Sequence, residues 1–163
     1  MVMLEKLGFD EPSARNLFAL SLETPESFPD GLTLSSPRFV CLLAWDSRDV
    51  DIERITELAA KLLNAGAVNV CAWGPDCERV HDVVDKVRNG PNPPPIVDRV
   101  VMTTWHSKEP LAEAIWFTLR STNPDEGYAE GCDSTLGVTI GNLGWHDEIC
   151  SAFRDSDGFC PSI

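Results

Sequence analysis

The stretch Arg38-Phe39-Val40-Cys41-Leu42-Leu43-Ala44-Trp45 decides the fold. After the arginine it is apolar at every position, so a strand here has no face for water and must be covered on both sides. Parallel sheets with helices over each face provide that environment. The residues that follow supply the first cover. From Val50 to Ala65, the apolar side chains Ile52, Ile55, Leu58, Ala59, Leu62 and Leu63 recur with helical period and leave Arg54, Glu57 and Lys61 outward. Asp49 or Asp51 is placed to cap this helix, and Gly66 to take the left-handed position that ends it.

The same alternation continues downstream. Strands are expected at Ala67–Trp73, Val97–Trp105 and Ser134–Gly141. Helices are expected from Gly74-Pro75-Asp76 to about Asn89-Gly90, from Glu109 to Arg120, and from Trp145 to Arg154. Upstream, Glu11–Leu20 reads as a helix packed by Leu17, Phe18 and Leu20, and Thr24–Pro37 reads as a connector rich in Pro, Ser and Gly. The expectation is one α/β domain over residues 1–163: an N-terminal helix and connector (1–37), a βα core (38–154) and a polar tail (155–163). Its sheet would be mostly parallel and four-stranded, in three layers. Right-handed crossovers favour the strand order 2-1-3-4, counting those four strands along the chain. The architecture resembles flavodoxin-like or Rossmann-like sheets, a likeness that carries no function.

Charge narrows the functional classes. The chain has 26 acidic residues against 13 basic ones, a net charge of −13. Neutralising phosphates needs a basic surface, so neither nucleic acid nor an anionic membrane is an expected partner. The acids concentrate late: beyond His106 the bases are Lys108, Arg120 and Arg154 alone. The segment Asn123–Asp133 sets Asp125, Glu126, Glu130 and Asp133 around Tyr128, the kind of surface that steers in a basic protein and anchors it by a ring. The N-terminus lacks the basic start and apolar core of an export signal, and the six cysteines form no CxxC pair. A cytoplasmic protein with reduced, mostly buried thiols is therefore expected.

Open parallel sheets bind ligands beyond the carboxyl ends of their strands. Those ends here are rich in aromatic and titratable groups. Trp45 and Asp46 follow the first strand, Trp73 and Cys77 the second, Trp105 and His106 the third, and Trp145, His146 and Asp147 the fourth. With the order 2-1-3-4, Asp46 would face His106 and orient its imidazole as a general acid or base. His146, Asp147 and Cys77 would assist, and the four tryptophans would wall a pocket. Cys77 at a helix start could be an activated thiol, although it shares a stripe with Val80, Val84 and Val87 and so could simply face the sheet. His81, one turn later, reads as a surface residue.

No glycine-rich phosphate loop, HExxH or paired CxxC occurs, so neither a nucleotide cofactor nor a resident metal is expected. Two functional readings follow. One is a partner-binding protein of immunity, antitoxin or adaptor type, engaging a basic macromolecule through its C-terminal third. The other is a small hydrolase-like enzyme centred on Asp46 and His106.

Overall fold

The structure, a computed structural model, describes residues 3–90, 101–122 and 131–161. Within them the chain runs β1 (Met3–Asp10), β2 (Arg15–Leu22), β3 (Arg38–Trp45), α1 (Ile52–Ala65), β4 (Ala67–Trp73), α2 (Cys77–Asn89), β5 (Met102–His106), α3 (Leu111–Arg120), β6 (Cys132–Ile140) and α4 (Leu143–Arg154). The strands form one sheet in the order β1-β2-β6-β3-β4-β5. Every pairing is parallel except β1 with β2.

The apolar run at 38–45 is an interior strand, paired with β6 on one side and β4 on the other. Its alternating side chains feed two cores. Phe39, Cys41, Leu43 and Trp45 meet residues of α1 and α2 on one face, and Leu42 and Ala44 meet residues of α3 and α4 on the other. This three-layer packing is the one implied by a strand apolar on both sides. Helix α1 ends at Gly66, whose φ of 117° gives the left-handed turn, and its amide reaches the carbonyls of Leu62 and Leu63.

Two expectations are corrected. Residues 11–20 are not a helix; they form the turn and second strand of a hairpin made by β1 and β2. The sequence LFAL suits a helix by propensity, but β2 lies between β1 and β6 and is buried along most of its length, which hides the alternation of a half-exposed strand. The turn is fixed by Asp10, whose Oδ2 accepts from the Ser13 amide at 3.1 Å, and by Ala14 at φ 56°. Among the described residues the sheet therefore has six strands, not four.

The order 2-1-3-4 is also wrong. Counted the same way, the four βα strands run 4-1-2-3, because β6 inserts beside β3 and leaves β5 at the edge next to β4. Right-handed crossovers allow both orders. The face used by the second crossover decides between them: α2 packs on the same face as α1, so β5 continues outward beyond β4, and α3 on the opposite face carries the chain back across the sheet to β6.

Candidate functional site

The parallel register brings the carboxyl ends of four strands to one rim. Trp45 pairs with Ile140, Ala44 with Trp73, and Trp73 with His106. Connections leave to opposite faces after β3 and β6, so the topological switch point lies between those two strands. A cleft of about 370 Å³ sits there, lined by Glu23, Trp45, Asp46, Arg48, Arg54 and Gly141 among others.

Three of the cleft's charged side chains are engaged in ion pairs. Asp46 takes a two-pronged contact from Arg48, Nε to Oδ1 at 2.9 Å and Nη2 to Oδ2 at 2.7 Å, and this guanidinium holds its carboxyl below the usual aspartate range. Arg54 forks in the same way onto Glu26. The rim is stapled by Arg79, which donates to the carbonyls of Val50 and Ser47 and to the Asp76 carboxylate. That joins the β3–α1 loop to the β4–α2 loop.

Asp46 and His106 do not face each other. The strand β4 lies between β3 and β5, so the two strand ends are about 10 Å apart at the ordinary interstrand spacing. His106 instead finds its carboxylate three residues on: Nδ1 lies 2.5 Å from Glu109 Oε1, and Nε2 lies 2.9 Å from Thr104 Oγ1. The ring also packs at 4.5 Å between centroids on Phe117. A hydroxyl, an imidazole and a carboxylate thus stand in line at the end of β5. Beside them is a cleft of about 290 Å³ lined by Trp73, Asp76, His106, Ser107, Lys108 and Glu109. Asp76 and Lys108 both adopt φ 66°, a conformation that costs a non-glycine residue energy and that concentrates at functional rims. The role of Glu109 escaped the sequence because its place in the turn after β5 depends on how that turn closes.

The other candidates separate. Cys77 is buried, and burial pushes its thiol up rather than letting the helix dipole bring it down. His146 contacts Glu5 on β1 at 3.4 Å, and β1 and β5 are opposite edges of the sheet, about 24 Å apart at the usual spacing. Asp147, its neighbour on α4, is exposed. The tryptophans do not wall one pocket. Trp45 closes the α1/α2 core, Trp105 packs on His81 of α2, and Trp73 meets Trp145 edge to face at 4.8 Å on the opposite layer. Trp73 also donates from Nε1 to the Glu109 carbonyl at 2.8 Å.

Asp125, Glu126, Tyr128 and Glu130 lie outside the described residues. Asp133 is exposed at the start of β6, where its Oδ1 accepts from Ser35 and Ser134.

Among the described residues no helix is long and apolar enough to cross a membrane. The chain belongs to the family described as Domain of unknown function (DUF7684), whose model matches residues 17–156. No curated protein and no solved structure matches it.

Proposed function

We propose that this member of the family is a partner-binding protein of the cytoplasm, of immunity, antitoxin or adaptor type, which engages a basic macromolecule through its C-terminal third. The observation that carries the reading is the outer surface of the α3/α4 layer. Trp116 and Leu143 are exposed there, at 38% and 71%, with Asp147, Glu148 and Asp155 also on the solvent side. Of the three bases in this third of the chain, Arg120 is drawn inward to the buried Asp10, at 2.8 Å, leaving Lys108 at the rim and Arg154 on α4. A net negative field speeds encounter with a basic partner, and an exposed indole supplies the desolvated anchor that long-range attraction alone lacks.

Affinity capture tests this directly. The immobilised wild type should retain a basic protein at low salt and lose it as salt rises. A variant with Asp147→Asn, Glu148→Gln and Asp155→Asn, and a second with Asp125, Glu126, Glu130 and Asp133 neutralised, should each weaken retention. Trp116→Ala should speed release. A captured set unchanged by all three variants would remove the reading.

A second reading is favoured by the Thr104–His106–Glu109 line: a small hydrolase-like enzyme in which Glu109, not Asp46, orients the imidazole. Screening ester and amide substrates with wild type and His106→Gln separates the two. Turnover abolished by the substitution supports the enzyme, and identical traces for both proteins exclude it.

A further inference from the structure

Away from the strand-end rim, three side chains of different chemistry converge where the N-terminal hairpin meets α4. His146 and Cys150 stand one helical turn apart and so share a face of α4, which packs against β1 and β2. Glu5 reaches the same point from β1, at 141 positions' separation from His146 in the chain. His146 Nε2 lies 3.4 Å from Glu5 Oε1 and 3.4 Å from Cys150 Sγ, and one donor atom from each residue falls within 4.8 Å of the other two. We propose that Glu5, His146 and Cys150 form a mononuclear zinc site.

The two edges that meet at His146 have tetrahedral lengths. With zinc bonds of about 2.0–2.1 Å to nitrogen and oxygen and about 2.3 Å to sulfur, tetrahedral angles place the nitrogen roughly 3.4 Å from the oxygen and roughly 3.5 Å from the sulfur. The observed separations match both edges. The donor set, an imidazole, a thiol and a carboxylate, suits a borderline-soft divalent ion and is a poor cage for calcium or magnesium, which want oxygen alone. Three protein ligands leave a fourth position for water, reached from the Glu5 side: Glu5 is about one-third exposed, whereas His146 and Cys150 are buried.

The surroundings support the assignment. Arg154 approaches the other carboxylate oxygen, Oε2, at 3.7 Å, holding Glu5 while leaving Oε1 free to ligate. Binding zinc breaks the sulfur–hydrogen bond of Cys150: the electron pair stays on sulfur and binds the ion, and the proton leaves to solvent. The thiolate and carboxylate together then neutralise the ion's double charge. Glu5 lies outside the span matched by the family model, whereas both α4 ligands lie inside it.

The protein stripped with a chelator should take up one equivalent of zinc, releasing protons as it binds. Cobalt chloride should give visible bands of a four-coordinate ion together with a near-ultraviolet sulfur-to-metal band. Cys150→Ser should abolish that ultraviolet band, while Cys160→Ser, at an exposed thiol, leaves it intact. Glu5→Gln, a surface change compatible with folding, should weaken zinc binding by at least about tenfold, the scale on which even outer-shell partners act. Absence of stoichiometric uptake by the folded wild type, or a cobalt spectrum indifferent to both Cys150→Ser and Glu5→Gln, would overturn the assignment.

Discussion

A β-carbon built on Gly74 would lie 2.2 Å from the carbonyl oxygen of Trp45. The close approach locks the end of β4 against the end of β3, and Gly74 holds it at φ 119°. Both the contact and the backbone conformation exclude a side chain. Gly74→Ala should therefore cost about 2–4 kcal/mol, lowering the melting temperature by roughly 5–15 °C for a chain of this size. Thermal unfolding followed by circular dichroism measures it; a shift of a degree or less would mean that the rim is not locked here.

Asp10 has no solvent exposure and accepts from the Ser13 hydroxyl and from Arg120, at 2.5 and 2.8 Å. Burial alone would raise its pKa, but hydrogen bonds from Ser13, Ser156 and Arg120 outweigh it and hold the carboxyl below the ordinary value. A depressed folded value means stability that is full above the unfolded pKa, near 3.9, and lost as pH falls through the folded one. Denaturant titrations between pH 7 and pH 2 should show that loss, and Asp10→Asn should remove this residue's share of the slope. Asp10→Ala should cost about 3–5 kcal/mol at neutral pH, the usual result of stripping one partner from a buried ion pair.

Arg15 is the other buried charge at the hairpin, 7% exposed, with its guanidinium donating to the Thr122 hydroxyl and carbonyl at 2.8 Å each. Lysine keeps the charge but cannot reproduce the forked geometry. Arg15→Lys should destabilise by about 2–3 kcal/mol, read as a lower urea midpoint at constant slope. A midpoint equal to wild type would place this pair of bonds outside the stability of the fold.

The thiols should react in sharply separated classes. Cys160 is exposed, Cys132 is partly covered with its pKa pushed up to about 11 by burial, and Cys41, Cys71, Cys77 and Cys150 are buried. A chromogenic disulfide reagent at pH 8 should modify Cys160 first, Cys132 slowly, and the remainder on the timescale of unfolding. Fast modification of Cys77 would show that the start of α2 opens readily.

Much of the architecture was legible because burial leaves a mark on composition. The strands at 38–45 and 67–73 and the helix closed by Gly66 fall where their apolar patterns place them. The hairpin was not legible, since β2 reads RNLFALSL, helix-forming residues in a strand that neighbours bury on both edges. Strand order was hidden for a different reason: it depends on which face α2 chooses, and α2 has no residue whose identity declares a face. The site followed the order. His106 ends β5, but its carboxylate partner is set by a turn, and the convergence of Glu5 with His146 and Cys150 needed the hairpin.

The last strand to be made, β6, is the one that joins β2 to β3, so the hairpin has no bond to the rest of the sheet until that strand arrives. During synthesis, therefore, a nascent chain short of residue 132 carries two open strand edges whose backbone groups lack their native partners. Only once β6 has emerged can the sheet close, which makes loss of that strand, rather than any single substitution within it, the most damaging lesion this topology can suffer.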